Sequence, residues 1–183
     1  MKIYLLNRNH LRVLVAGGGT GYDTVALGHK LNNTEAEIVY MDFSMTSLEI
    51  AQRRARAMGL KNIIWFQSWI EGLFQKGLGL FDNIQCSGVL HHLKSPSVGL
   101  NVLKDLSMLN GGMDLMVYAL KGRIAVYIIQ LLMREINLST LSINSQLHNC
   151  KLVLDSFPEH NSFLMNAVGA NRTSGDIGNK NLI

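Results

Sequence analysis

Apolar runs and amphipathic stretches alternate along this chain in the manner of strands and helices. Runs of four to seven mostly apolar residues indicate strands buried on both faces, and the stretches between them carry apolar residues at helical spacing. The predicted strands are residues 11–16, 38–41, 62–66, 80–86 and 113–118, and the predicted helices are residues 22–31, 46–58, 97–109 and 123–136. This order predicts an α/β fold with a doubly wound, mostly parallel sheet and helices on both faces.

The second predicted helix has the clearest local signals at its ends. A capping box formed by Thr46 and Glu49 is predicted to open it, because these side chains can satisfy the first backbone N–H groups. Gly59 is predicted to close it, because glycine adopts the left-handed conformation that ends many helices.

The pattern changes after residue 136. Asn and Ser become frequent, the apolar periodicity fades, and residues 169–181 have the composition of a flexible tail. Residues 151–154 are the one weak strand candidate in this part of the sequence. We therefore predict one domain over residues 1–136 and an atypical, partly flexible extension over residues 137–183.

Composition narrows the class of protein only modestly. The 183 residues are 48% hydrophobic and 16% charged, with a net charge of +4, which is typical of a globular domain. We find no dense basic stripe interleaved with aromatic residues, so the sequence does not demand nucleic acid as a partner. Cys86 and Cys150 stand far apart without metal-ligand spacing, which predicts no disulfide, no metal site and a reducing, cytoplasmic location. The longest apolar segment, residues 124–133, is half a membrane span and predicts no crossing.

The stretch RVLVAGGGTGYDT, residues 12–24, predicts a nucleotide-binding loop after the first strand. A P-loop is excluded, because no Gly-Lys-Ser/Thr sequence follows the glycines. A dinucleotide loop needs a third glycine at the position of Tyr22. Glycines at 17, 18, 19 and 21 instead suit a ligand whose ribose and amino-acid parts lie against bare backbone, such as S-adenosylmethionine (SAM).

Asp42 follows the second predicted strand, 21 residues after Gly21. A carboxylate there can accept hydrogen bonds from both hydroxyl groups of a ribose. This feature is compatible with NAD as well as with SAM, so on its own it supports the architecture more than the chemistry.

Five segments together resemble the class I SAM-dependent methyltransferases in order and spacing. They are VLVAGGGTG, VYMDFSMTSLEIAQRRA, NIIWFQSWIEGL, FDNIQCSGVLHHL and LNGGM, and the resemblance covers residues 12–118. It implies a Rossmann-like methyltransferase fold that binds SAM within residues 1–136. The remainder shows no recognisable pair of the strands that close this fold.

The resemblance also implies a set of cofactor-binding residues. The glycine loop would pass under the ribose and methionine of SAM, the acid after the second strand would bind the ribose, and the next residue would lie against the adenine. The loops after the third and fourth strands would complete the site at the adenine and at the methionine end. The implied residues are Gly17, Gly18, Gly19, Gly21, Asp42, Phe43, Ser68, Trp69, Cys86, Ser87 and Gly88.

The predicted activity is transfer of the SAM methyl group by direct displacement to an unidentified acceptor. A small molecule comes first among the acceptor classes, followed by protein and RNA. No catalytic base is assigned, since paired histidines such as His91 and His92 are more often packing features. Asp82 precedes the buried part of the fourth strand, which favours a structural role, and Cys86 is predicted to be a buried thiol.

The alternative hypothesis is a non-catalytic protein with a methyltransferase-like fold. Val15 stands where the family usually has an acid before its first glycine. Trp69 stands where the family often has an acid that recognises the adenine amino group. These departures, with the unrecognised closing strands, favour weak binding or none. An NAD-dependent oxidoreductase is disfavoured by Tyr22.

Overall fold

The computed structural model of the chain describes residues 10–119, 121–139, 142–158 and 161. Strands and helices alternate through the first part of the chain, and two helices follow. The elements are β1 (Arg12–Ala16), α1 (Tyr22–Lys30), β2 (Glu37–Asp42), α2 (Met45–Ala57), β3 (Ile63–Gln67), β4 (Phe81–Ser87), α3 (Pro96–Asp105), β5 (Ser107–Met116), α4 (Ile124–Ile136) and α5 (Ile143–Asp155). Short 3₁₀ turns cover residues 70–72, 74–76, 90–92 and 121–123.

The five strands form one sheet in the order β3-β2-β1-β4-β5, and every neighbouring pair is parallel. The predicted α/β class with a parallel sheet is confirmed. The chain leaves β1 toward β2 on one side and later returns to β4 on the other. Strand order therefore switches at the carboxyl end of β1, which is where open α/β sheets bind ligands.

The sheet separates two apolar cores, because successive side chains of a strand point to opposite faces. Val13 and Val15 of β1 pack on one face with residues of α1 and α2, such as Leu27. Leu14 and Ala16 pack on the other face with residues of α3, such as Leu103. β1 is thus covered on both sides, which explains its unbroken apolar sequence.

Three sequence-based predictions about elements are wrong. α2 begins at Met45 and is capped by Ser44, whose hydroxyl accepts the N–H of Ser47 at 3.3 Å, so Thr46 and Glu49 do not form the cap. α3 ends at Asp105, because the carbonyl of Leu106 accepts the N–H of Phe81 and commits the following residues to β5.

The third error concerns residues 151–154, which belong to α5 and not to a strand. Cys150 is buried there against α4, and Val153 and Leu154 pack beside it. Positions i, i+3 and i+4 share one face of a helix, so this spacing fits α5. A run of four apolar letters could not distinguish the two structures.

The chain divides into two compact units between Val117 and Tyr118. The first contains the sheet with α1, α2 and α3. The second contains α4 and α5, which pack through Ile129, Met133 and Cys150. The predicted flexible tail at residues 169–181 lies outside the described residues.

Two further properties concern the described part of the chain. Cys86 and Cys150 are both free and buried, so no disulfide joins them. Among the described residues, no helix is long and apolar enough to cross a membrane, and no cluster of His, Cys, Asp and Glu could hold a metal ion.

Candidate cofactor site

The glycine loop joins β1 to α1 at the carboxyl edge of the sheet. Gly17, Gly19 and Gly21 have φ angles of 77°, 55° and 81°, in the left-handed region that side chains other than glycine rarely adopt. The N–H groups of Gly17 and Gly18 donate to the carbonyl of Met41 at 2.8 and 3.0 Å, which fastens the loop to the end of β2. The loop is therefore a fixed turn with a defined backbone path.

The surroundings of the four glycines separate packing from ligand space. A Cβ on Gly17 would overlap the side chain of Val89, one on Gly18 would overlap the ring of Tyr40, and one on Gly21 would overlap Ala51. A Cβ on Gly19 would meet no atom within 4 Å. Neighbouring protein atoms thus leave no room for a side chain at three of the glycines. Gly19 instead borders open space, which a ligand needs in order to approach the backbone.

Asp42 ends β2 beside this loop and is 6% exposed. One carboxylate oxygen accepts the N–H of Gly19 at 2.8 Å, and the other accepts the N–H of Ser44 at 2.8 Å. A carboxylate oxygen can accept more than one hydrogen bond, so each keeps capacity for a ligand hydroxyl. The two backbone contacts fix the orientation of the carboxylate, which can then receive the vicinal hydroxyls of a ribose.

Tyr40, two residues before Asp42, is a part of the site that sequence reasoning missed. Its hydroxyl donates to the carbonyl of Gly19, and its buried ring lies beneath Gly18. Burial raises the pKa of the Tyr40 hydroxyl, and the nearby Asp42 carboxylate raises it further, so the group remains a donor. Its spacing of two from Asp42 on one strand is a signal that could have identified it.

Arg54 of α2 also contacts the loop and was also missed. Its guanidinium donates to the carbonyl and the hydroxyl of Thr20 at 3.1 and 3.2 Å. Together with Ala51 under Gly21, this contact ties α2 to the loop. Nothing in the local sequence of α2 distinguishes Arg54 from the other exposed arginines of that helix.

Phe43 and Trp69 follow β2 and β3 and form an aromatic pair at the same edge. Their rings stack with centroids 5.1 Å apart and planes 18° apart, and the residues are 60% and 65% exposed. The buried Ser68 connects the two loops, because its N–H donates to the carbonyl of Asp42 at 3.1 Å. The structure thus brings Phe43, Ser68 and Trp69 together with Asp42.

The segment after β4 meets the glycine loop through Val89. Gly88 has a φ of 73°, and its N–H donates to the carbonyl of Met116 at 2.9 Å, while Ser87 is exposed. The Cys86 thiol is fully buried in the core. Burial raises the pKa of this thiol to about 11, against the smaller opposing effect of the Leu90 N–H. Cys86 is therefore a neutral packing residue, as predicted.

The other polar residues singled out in the sequence lie outside the hydrogen-bonded set around Gly19 and Asp42. His91 and His92 form part of the 3₁₀ turn at residues 90–92, with ring centroids 4.1 Å apart. Buried Asp82 accepts the N–H of Arg12 at 2.9 Å, which joins β4 to the start of β1 at the opposite edge of the sheet. The predicted structural role of Asp82 is confirmed.

The sequence profile of the family described as "Methyltransferase domain" matches residues 14–113, more than half of the chain. The chain therefore belongs to this methyltransferase family. It is also 40% identical over 112 residues to the uncharacterized protein syc1184_c of Synechococcus sp. (strain ATCC 27144 / PCC 6301 / SAUG 1402/1). The match covers 61% of this chain and 26% of that protein, so the chain spans about a quarter of the relative's length.

Solved structures share the fold. PKMT2 from Rickettsia typhi, in complex with AdoHcy, has a TM-score of 0.67 and 23% identity, covering 93% of this chain and 36% of that one. The YcgJ protein from Bacillus subtilis has a TM-score of 0.56 and 22% identity, covering 69% of this chain and 53% of that one. The first unit thus has the Rossmann-like fold expected of a SAM-dependent methyltransferase.

Proposed function

We propose that this chain binds SAM at the carboxyl edge of β1 and β2 and transfers its methyl group to an acceptor. The observation that carries the proposal is Gly19, which borders open space beside the oriented carboxylate of Asp42. Gly59 and Gly77 also combine a positive φ with open space at the Cβ position, so what distinguishes Gly19 is its hydrogen bond to the Asp42 carboxylate. PKMT2, which shares the fold, was crystallised with AdoHcy, the demethylated form of SAM.

The proposed contacts follow the order of the ligand's parts. Gly17, Gly18, Gly19 and Gly21 form the backbone surface under the ribose and methionine, and Asp42 accepts the ribose hydroxyls. Phe43, Ser68 and Trp69 border the base. Ser87 and Gly88 face the methionine end, and Cys86 supports them as a buried residue at the end of β4.

The chain's contribution to chemistry is alignment and exclusion of water. SAM supplies a methyl group that its sulfonium has already activated, so transfer by direct displacement needs no acid–base pair from the protein. The fixed glycine loop and the anchored Asp42 hold the donor in one orientation. An acceptor nucleophile then attacks along a defined line, and we assign no proton transfer to any side chain.

We propose a small molecule as the acceptor and the cytoplasm as the location. The sequence has no dense basic stripe with interleaved aromatic residues, which favours a small acceptor over RNA. Cys86 and Cys150 are free thiols, which fits a reducing compartment. Incubation with labelled SAM and a cell extract, followed by mass spectrometry of the products, would identify the methylated compound.

The SAM site is tested by replacing Gly19 with valine. The new side chain would fill the open space, so we expect Gly19→Val to abolish SAM binding measured by calorimetry. Gly59→Val is the matched control: Gly59 also has a positive φ, 67°, and also has nothing within 4 Å of its Cβ position, but it ends α2 at the other edge. Both variants carry a strain of about 1–2 kcal/mol, and only the first should lose SAM. Equal affinity in the two variants would refute the site.

A second candidate function is a non-catalytic binding protein. Val15, where the family usually has an acid, is 6% exposed and belongs to the apolar core, so no carboxylate stands before the loop at that position. This hypothesis predicts binding without turnover. Wild-type protein that binds SAM by calorimetry but forms no AdoHcy with any extract would support it.

A further inference from the structure

One side of α4 carries large apolar side chains that are exposed. α5 packs against the side of α4 that is formed by Ile129 and Met133. The four most exposed apolar residues of α4 and the turn after it lie on the opposite side and are 53–77% exposed: Ile124, Ile128, Leu131 and Leu138. A helix that is apolar on opposite sides is normally buried on both. The exposed side of α4 is therefore a candidate interaction surface.

The residues on this side have the spacing of a coiled coil. Steps of three and four residues alternate between positions 121, 124, 128, 131, 135 and 138, which we call the α4 seam. This repeat places side chains along one stripe that faces a neighbouring helix. Lys121, in the 3₁₀ turn before α4, and Glu135, in its last turn, are both exposed. The α4 seam is thus apolar in the middle and carries opposite charges toward its two ends.

The two charges decide how the α4 seam can meet a second copy of itself. In a parallel pair of helices, Glu135 would face Glu135 and Lys121 would face Lys121, so like charges would repel at both ends. In an antiparallel pair, Ile128 of each copy faces Leu131 of the other at the centre of the contact. The same arrangement brings Glu135 of each copy beside Lys121 of the other. The α4 seam is therefore complementary to itself in shape and in charge only when the helices run in opposite directions.

We propose that the α4 seam binds the α4 seam of a second copy of this chain, with the two helices antiparallel. A dimer with two-fold symmetry uses the same patch on both copies, and the self-complementary charges of the α4 seam satisfy this condition. α4 has 13 residues and is about 20 Å long, so the contact is smaller than a standard interface. We therefore expect a reversible dimer with a dissociation constant on the order of 10 µM.

Sedimentation velocity of the full chain over a range of concentrations tests the proposal. We expect the average mass to rise from that of one chain toward that of two between about 1 µM and about 1 mM. A mass of one chain at every concentration would overturn the proposal. Vesicles containing phosphatidylserine test lipid as the other occupant. A chain that stays monomeric in solution but binds these vesicles through the α4 seam would assign the surface to lipid and would equally overturn the dimer.

Leu131→Asp and Leu152→Asp form a matched pair of variants. Leu131 lies at the centre of the α4 seam and is 59% exposed, and Leu152 lies on α5 and is 56% exposed. Leu131→Asp places a carboxylate in the apolar contact, so we expect the dimer to weaken by about tenfold or more, while Leu152→Asp leaves it unchanged. SAM affinity should not change in either variant, because the proposed SAM contacts belong to the first unit. Equal dimer dissociation constants in the two variants would overturn the proposal.

Charge reversal tests the antiparallel orientation. Glu135→Lys and Lys121→Glu each place like charges beside one another across the contact, so each should weaken the dimer by about three- to tenfold. The double variant restores the opposite charges and should recover the wild-type dissociation constant. Lys121 and Glu135 are 14 positions apart, or about 21 Å along a helix, so this recovery cannot arise within one copy. A double variant as weak as the single variants would overturn the antiparallel pairing.

Discussion

At the scale of single residues, two side chains of β2 hold the backbone of Gly19, one at its N–H group and one at its carbonyl. Asp42 accepts its N–H, and Tyr40 donates to its carbonyl. The two side chains lie on the same side of the strand, because they are two positions apart. The path of the glycine loop is thus determined by β2 as much as by the glycines themselves.

This contact predicts the effect of Tyr40→Phe. The variant keeps the ring under Gly18 and removes only the hydroxyl, so Gly19 loses one of the two hydrogen bonds that side chains of β2 make to its backbone. We expect SAM affinity to fall about five- to tenfold, which corresponds to one hydrogen bond of about 1 kcal/mol. Calorimetry measures the affinity, and circular dichroism confirms the fold. Unchanged affinity would mean that the Tyr40 hydroxyl is not needed to position Gly19 for SAM.

Cys86 gives a prediction about pH. Burial raises the pKa of its thiol from 9.0 to about 11, so the neutral form is favoured in the folded state. The resulting stabilisation is complete below pH 9 and is lost as the pH rises through about 11. We expect the melting temperature to fall over this interval, and to fall less steeply in Cys86→Ala. Identical alkaline profiles for the two proteins would contradict the burial of a neutral thiol.

At the scale of elements, Arg12 joins three strands at the amino edge of the sheet. Its guanidinium contacts the carboxylate of Glu37 at 2.8 Å and the carbonyl of Leu80 at 2.9 Å, and it lies 4.8 Å from the ring centroid of Phe81. β1, β2 and the start of β4 are therefore connected through one side chain, at the edge opposite the proposed SAM site.

The prediction for Arg12 separates stability from function. Arg12→Met keeps the apolar stem and removes the charge and donors, so we expect a loss of about 1–2 kcal/mol in the free energy of unfolding. Urea denaturation measures this loss, and Arg12→Lys should recover only part of it, because an ammonium cannot form the same fork. SAM affinity should stay unchanged in both variants. A large fall in affinity would show that the amino edge of the sheet affects the proposed SAM site.

Elements were predictable where burial leaves a mark in the sequence. The buried strands β1, β2 and β4 show continuous apolar runs and were placed within one or two residues. The edge strand β3 was placed as well, because its sequence is apolar although Ile64 is 41% exposed. The start of α2 was misplaced because Ser44 and Thr46 are equally good caps by composition. Residues 107–109 were predicted to be helical, because only the pairing with β4 places them in a strand.

The residues of the candidate site were also predictable only where a local motif contains them. The residue types in these motifs indicate the backbone geometry of four of them: Gly17, Gly19, Gly21 and Asp42. Tyr40 and Arg54 could not be found as readily, because their partners in the glycine loop lie 21 and 34 residues away. Contacts between distant segments become visible only when the strand order is known.

At the scale of the whole molecule, both cores of the sheet lie between Val13 and Leu106. The residues proposed to bind SAM all belong to the first of the two units. The second unit has its own small core, built around Ile129, Met133 and Cys150. All the proposed SAM contacts therefore lie in the unit that ends at Val117.

This division predicts the behaviour of a chain shortened after Val117. We expect it to unfold cooperatively and to bind SAM as the full chain does, because no proposed contact is removed. Thermal melting and calorimetry would check the two properties. Since β5 exposes Met113, Leu115 and Met116 by about two fifths each, Leu115→Lys should be compared in parallel to limit self-association. A shortened chain that remains unfolded in both forms would show that the first unit depends on the second.

Between two positions where β4 and β5 pair, β5 contains three more residues than β4 does. From Phe81 to Asn83, β4 advances by two positions, whereas β5 advances by five, from Ser107 to Gly112. Leu109, which lies between Ser107 and Gly112, is fully exposed, yet residues 112–116 keep regular register with β4. The sheet can therefore absorb changes of chain length here without moving its carboxyl edge. Insertions and deletions among relatives, and an inserted peptide tag, should be tolerated at this point while the ligand edge stays intact.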